Sequence, residues 1–219
     1  LFNKSIKLEN ISFSYEEDGV KNIIFDNLNF EIKKNTFLGV VGKSGSGKST
    51  LIDILIGLYK PQRGSVLVDG KNIEKNSNSW QATIGCVPQD VFIFDDSLKK
   101  NIAFGIDASE INEEKIKQSI EFSFLKEFSE NIEGGLNAQI GEKGAKISGG
   151  QRQRIGIARA IYNNPEVLIF DESTNALDNF TEKKILDEIH LLKGKKTIIL
   201  ISHKKNNLKN CDKILDLDE

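Results

Sequence analysis

The 219-residue chain has no methionine, only three prolines, one tryptophan, two histidines and two cysteines. Cys86 and Cys211 show no CxxC spacing, which excludes a disulfide framework or a cysteine-built metal site and fits a reducing compartment. An excess of charge is missing too: 30 basic against 32 acidic residues leave a formal net charge of −2. That balance lacks the basic face of a dedicated nucleic-acid binder, so no nucleic-acid partner is expected. Any phosphate binding must come from local geometry. No apolar run approaches the roughly 20 residues of a membrane-spanning helix, and no stretch of these residues reads as a signal peptide. A chain without methionine whose first strand-like pattern begins almost at once reads as a domain of a longer protein, with any membrane segments outside it. What remains is an ordinary composition, 38% hydrophobic and 28% charged, at a length suited to one large α/β domain or a core with a satellite.

Ile6, Leu8, Ile11, Phe13 and Tyr15 come close to period two, as do Ile24, Leu28, Phe30 and Ile32. They predict strands of a half-buried antiparallel sheet, joined by a polar turn at Glu16–Gly19. Val66–Val68 followed by Asp69-Gly70 is a hairpin signal. Lys48–Leu58 predicts a helix, apolar on nearly every side and ended by Tyr59-Lys60-Pro61. From Ser97 to Phe128 the spacing of Ile and Phe among Lys and Glu predicts an amphipathic helical insert. Gly134–Gly150 reads as a glycine-punctuated loop, Gln151–Tyr162 and Thr181–Leu192 as helices, and Lys204–Asn210 as loop. Three runs, Phe37–Val41, Val167–Phe170 and Thr197–Ile201, are apolar enough for central parallel strands. Each ends abruptly in polar residues, and in open α/β sheets ligands sit at such carboxyl ends.

The first run leads into GKSGSGKS, Gly42–Ser49, which fits the phosphate-loop pattern with its strand before and helix after. Gly42, Gly45 and Gly47 let the backbone curl so that successive N–H groups, through Lys43, Ser44 and Ser46, face inward as an anion nest. The helix start at Lys48, Ser49 and Thr50 adds a positive dipole end. Lys48 supplies a full charge to the β- and γ-phosphates, and the Ser49 hydroxyl can ligate Mg²⁺. Asp171, ending the second run, suits an acidic Mg²⁺ partner. Glu172 is expected on the opposite side of that strand, placed to orient a water in line with the γ-phosphate. Ser148-Gly149-Gly150-Gln151 precedes a helix: Ser148 is a reasonable N-cap, and the glycines expose a second set of helix-start N–H groups.

These motifs resemble the ATP-binding cassette (ABC) family over nearly the whole chain. Ile147–Gln151, ISGGQ, is similar to the family's LSGGQ signature. The resemblance implies an α/β fold: a P-loop NTPase core with a parallel sheet, an antiparallel β subdomain and a helical insert. The core would comprise residues 1–88 and 160–219, the helical subdomain 90–159, with a membrane domain upstream. It implies that Tyr15 stacks on adenine, that Gln89 reads Mg²⁺ and the γ-phosphate, that Asn175–Asp178 resembles the family's SALD loop and places Asp178 at the site, and that His203 contacts the γ-phosphate. The cofactors would be ATP and Mg²⁺. The partner would be a second copy, head to tail, whose Ser148–Gln151 segment covers the ATP held by the first copy's loop. Gln89–Gly105 and Ile140–Gly144 look like the exporter branch, in which the helical insert and Glu142 region meet coupling helices of the membrane domain at the cytoplasmic face of the inner membrane. Its Lys- and Asn-rich character is similar to exporters that flip lipids or lipid-linked oligosaccharides.

Blander readings stand beside these. An aromatic in a strand, such as Tyr15, commonly serves packing. His190 reads as non-functional, and Trp80 as surface or subdomain packing. Arg152 and Arg154 fit either a solvated helix face or a dimer contact. A non-transport cassette protein acting on DNA or ribosomes is the rival function, although such proteins carry coiled-coil inserts or tandem cassettes. A nucleotide-binding regulator without turnover is the third reading, which Glu172 and His203 oppose.

Overall fold

The computed structural model describes residues 2–141, 147–173 and 176–218, so Glu142 and Asn175 lie outside the described residues. In chain order the strands are β1 (Ser5–Glu17), β2 (Val20–Lys33), β3 (Phe37–Val41), β4 (Arg63–Val68), β5 (Lys71–Asn72), β6 (Ile84–Val87), β7 (Asp96–Ser97), β8 (Gln139–Ile140), β9 (Val167–Asp171), β10 (Thr197–Ile201) and β11 (Lys213–Asp216). The α-helices are α1 (Lys48–Leu55), α2 (Ser77–Gln81), α3 (Leu98–Ile102), α4 (Glu113–Phe122), α5 (Lys126–Asn131), α6 (Gly149–Tyr162) and α7 (Asn179–Leu191). Residues 1–84 with 193–219 form one compact unit, and residues 85–192 form a second.

In the first unit an antiparallel sheet has the order β2-β1-β4-β5. Leu8 and Ile11 are both buried despite their odd spacing. Asn10 takes a φ of +52°, and the pairing with β2 shifts register there, which turns both side chains inward. The β1–β2 turn is tighter than the sequence suggests. Glu16 and Glu17 still pair with Lys21 and Val20, leaving Asp18-Gly19 alone at φ +50° and +76°. Asp69-Gly70 makes the same two-residue connection between β4 and β5, at φ +52° and +79°. Positive φ at both central residues matches the right-handed twist of the flanking strands.

The other layer of this unit is parallel: β3 pairs with β10 and with β11. Both β3 and β10 are buried almost throughout, as their unbroken apolar runs require. Helix α1 follows β3 and is shorter than the predicted Lys48–Leu58. Gly57, at φ +77°, stops it three residues before Lys60. The Leu58 N–H donates to the Asp53 carbonyl at 2.8 Å and the Gly57 N–H to that of Ile54 at 3.1 Å, so the helix closes as a Schellman turn. Trp80 packs inside: its indole N–H donates to the Leu55 carbonyl at 2.8 Å and its ring meets Phe2 edge-on.

In the second unit, β6 and β9 are neighbours in a sheet and β7 pairs with β8. Helices α3, α4 and α6 share a core of Leu98, Ile102, Ile116, Ile120, Ile155 and Tyr162. Truncating one such Ile or Leu to Ala costs about 2–5 kcal/mol. Tyr162 contributes a polar tie as well, accepting the Asn112 N–H at 2.9 Å where α4 begins.

Candidate functional site

In the first unit the phosphate loop has the shape its composition predicts. Gly47, which precedes α1, sits at φ +92°, and a Cβ there would meet Ile24 Cγ2 at 2.5 Å and Phe25 Cζ at 2.9 Å. A Cβ on Gly42 would meet Ser46 Oγ at 2.2 Å. Gly42 lies at φ +155°, so both positions combine a positive φ with a lack of room for a Cβ, and glycine answers both. The start of α1 carries no side-chain cap and no acidic residue in its first turn. Its N–H groups and dipole are thus left facing the loop. Lys48 is 7% exposed, and its ammonium donates to the carbonyls of Gly42 at 2.9 Å and Lys43 at 2.7 Å. Ser46 Oγ is buried with no hydrogen-bond partner. An orphaned hydroxyl, a buried cation and a curl with no space for a Cβ at Gly42 or Gly47 together fit a polyphosphate. Lys43, Ser44, Gly45 and Ser49 are exposed around it.

Two further predicted residues lie in this unit. His203 follows β10, and Ile201 of β10 pairs with Val40 of β3, so His203 and the loop leave the same edge of the sheet. His203 itself is exposed, beside a turn in which the Ser202 hydroxyl accepts from Lys204 N–H at 3.1 Å and from Asn207 Nδ2 at 3.3 Å. Tyr15 is 38% exposed and its hydroxyl lies 3.0 Å from Thr50 Oγ1, which ties it to the first turn of α1.

The second unit holds the remaining predicted residues. Asp171 ends β9 and is 7% exposed. Glu172 lies just beyond the strand, which ends at Asp171. It leaves the strand in the left-handed region, with φ +47°. That region is uncommon for Glu and is held only where the surroundings fix it. Helix α6 begins at Gly149 rather than Gln151, under a capping box. The Ser148 hydroxyl accepts from Gln151 N–H at 3.2 Å, and the Gln151 side chain accepts from Ser148 N–H at 2.8 Å. Gly149 and Gly150 begin the helix, beside Ala176 and Leu177. Asp178 N-caps α7, accepting from Phe180 and Thr181 N–H at 3.1 and 3.0 Å. Those bonds, that from Thr181 first, hold its carboxyl below the ordinary range. Arg154 is half-buried and donates to the Phe124 carbonyl at 2.7 Å; burial lowers its pKa against the opposing pull of Asp178 and Glu127. Arg152 is exposed.

Sequence reasoning missed Gln153 and Tyr59. Gln153 sits on α6 and donates to the Gln89 carbonyl at 2.6 Å, while a Cβ on Gly156, one turn along, would run into Val91 at 2.5 Å. The signature helix thus lies directly on the segment that carries Gln89. A glutamine at i+2 from Gln151 gives no sequence signal of that contact. Tyr59 joins Tyr15 and reads in the sequence only as a helix stop.

For a divalent cation, the Ser49 hydroxyl in the first unit and the Gln89 amide oxygen and Asp171 carboxylate in the second are each hard oxygen donors of the kind Mg²⁺ takes. Among the described residues no three His, Cys, Asp or Glu side chains converge as a metal site. Donors with a single carboxylate among them suit an ion whose coordination is completed by phosphates and water.

A family model described as ABC transporter matches residues 25–175. A protein of Rickettsia bellii named for export, an ATP-binding/permease protein, is 40% identical over 217 residues, covering 98% of this chain and 37% of that protein. The leukotoxin translocation ATP-binding protein LktB of a Pasteurella haemolytica-like species is 40% identical over 215 residues, covering 98% of this chain and 30% of LktB. The solved structure of a bacterial Atm1-family ABC exporter with ATP bound superposes with a TM-score of 0.91 at 34% identity, over 100% of this chain and 38% of that one. The chain thus spans under two fifths of the length of these relatives.

Proposed function

The chain belongs to the ABC transporter family, and on that premise we propose that it is the ATP-hydrolysing domain of a membrane exporter. The observation that carries the reading is the loop of Gly42–Ser49: a backbone curl with a buried ammonium and an uncapped helix start aimed into it. Lys48 and the loop N–H groups bind the phosphates and hold them in register. Tyr15 takes the base. Ser49, Gln89 and Asp171 hold Mg²⁺, which when bound neutralises charge developing on the phosphates. Glu172 accepts a hydrogen bond from the attacking water and orients it, and His203 donates to the γ-phosphate.

The active form is a head-to-tail pair of copies in which Ser148–Gln151 of one covers the nucleotide of the other. The capping box supports this. It commits the Ser148 hydroxyl and the Gln151 side chain to the helix start, while the N–H groups of Gly149 and Gly150 have no partner inside the helix. ATP draws the copies together and hydrolysis releases them, and coupling helices of the membrane domain at the cytoplasmic face carry that motion to the transport path. The cargo, a lipid or lipid-linked oligosaccharide on the family resemblance, is chosen by those membrane segments. Relatives named for export and translocation favour this reading over a role on DNA or ribosomes.

In the full-length transporter, Glu172→Gln should lower phosphate release by about 10²–10⁴-fold while ATP-bound dimers persist. Single-turnover hydrolysis at the wild-type rate in that variant would remove Glu172 from its role.

A further inference from the structure

Tyr15 is not a lone aromatic on a strand. Phe13, two residues before it on the same face of β1, meets it edge-on at 5.1 Å between centroids and 88° between planes. Tyr59 stacks on Phe13 at 5.5 Å and 24° and meets Tyr15 edge-on at 6.0 Å and 82°. The Tyr15 hydroxyl also meets Thr50 Oγ1 at 3.0 Å, on the first turn of α1.

The position of Tyr59 is itself fixed from two sides. The Schellman turn that ends α1 brings its N–H to the Asp53 carbonyl at 3.1 Å, beside the donation from Leu58. Three residues on, the Gln62 side chain clasps Ser14, accepting from its N–H at 2.9 Å and donating to its carbonyl at 2.8 Å. The Gln62 N–H also donates to the Ser12 carbonyl at 3.0 Å. The segment carrying Tyr59 is thereby fastened to β1 next to Tyr15, and both rings keep an open face, at 41% and 38% exposure.

We propose that Tyr59 is a positioning residue for base recognition: with the Thr50 hydroxyl and the Phe13 edge, it holds the Tyr15 ring in one orientation, open face outward, before a purine arrives. This rests on the reading that the loop binds a nucleoside triphosphate and that Tyr15 takes its base. The physical effect is preorganisation. A ring held by one hydroxyl contact and two edge-on aromatic contacts has little rotamer freedom left to lose on stacking. The arrangement contributes to the base and not to the phosphates, because Tyr59 makes no contact with the loop of Gly42–Ser49 among those described.

The test compares equilibrium binding of ATP and of inorganic tripolyphosphate to wild type, Tyr59→Ala, Tyr59→Leu and Tyr59→Phe. Tyr59→Ala should weaken ATP about three- to tenfold and leave tripolyphosphate unchanged. Tyr59→Phe, which keeps the ring contacts, should bind both ligands as wild type does, and Tyr59→Leu, which keeps bulk without a ring, should repeat the loss for ATP alone and guards against a misfolded alanine variant. Equal weakening of both ligands would make Tyr59 merely structural and overturn the proposal, as would ATP binding unaffected by the alanine and leucine changes. Wild type that binds the two ligands equally would overturn base recognition at Tyr15 and the role of Tyr59 with it, while sparing the phosphate loop. Wild type that binds neither would overturn the nucleotide reading itself.

Discussion

Glu172 is held at φ +47°, at the carboxyl end of β9, and this makes a prediction in which stability and activity part. A residue with a Cβ costs roughly 1–2 kcal/mol in the left-handed region. Glycine avoids that strain but gives back about 0.5–1 kcal/mol through the freedom it adds to the unfolded chain. Alanine is the right reference, since it discards every contact of the glutamate side chain, as glycine does, yet keeps the Cβ. Glu172→Gly should therefore be more stable than Glu172→Ala by about 1 kcal/mol, which for a domain of this size is a Tm difference of about 2–4 °C. Both variants should have lost phosphate release. Differential scanning calorimetry on the two proteins, at one pH and ionic strength, reads the difference. A glycine variant no more stable than the alanine variant would show that the backbone there stores no strain, and would refute the reasoning that ties this conformation to the work of the side chain.

Asp212 accepts from Lys193 Nζ at 2.7 Å and from Phe37 N–H at 2.9 Å, and these bonds, the lysine's first, hold its carboxyl below the ordinary value. A lowered folded pKa contributes stability that is complete above the unfolded pKa of about 3.9 and is lost as pH falls through the folded value. Asp212→Asn should flatten the loss of stability below about pH 4, read by urea unfolding across that window, and an unchanged acid limb would contradict the assignment. The ion pair is well exposed, so the effect at neutral pH should be modest. Trp80→Phe removes the donor to the Leu55 carbonyl while keeping an aromatic ring, and should destabilise by about 1–3 kcal/mol, measured by the urea midpoint.

The pattern of apolar residues was enough to place the hairpin of β1 and β2, the buried strands β3, β9 and β10, and the phosphate loop between strand and helix. It failed where geometry depends on a single backbone angle. Asn10 inserts a register shift that a strict period of two does not show, and Gly57 ends α1 earlier than the apolar run implies. Strand β11, Lys-Ile-Leu-Asp, is too short and too charged to stand out, and β6 has only four residues. Among the site residues, Lys48 and Asp171 were legible because each ends or follows a strand whose hydrophobicity is unmistakable. The left-handed backbone of Glu172 was not legible, because the apolar run gives no signal of a single positive φ just past its end. Tyr59 was invisible as a partner of Tyr15, since the two meet only through the Schellman turn and the Gln62 clasp, both tertiary features.

The central claim is that the curl of Gly42–Ser49 grips a triphosphate. A crystal structure of the chain with Mg-ATP tests it most directly. The account predicts that Lys48 Nζ leaves the carbonyls of Gly42 and Lys43 and lies within about 3 Å of phosphate oxygens. A nucleotide bound with its phosphates away from that loop, and Lys48 still bonded to both carbonyls, would contradict it.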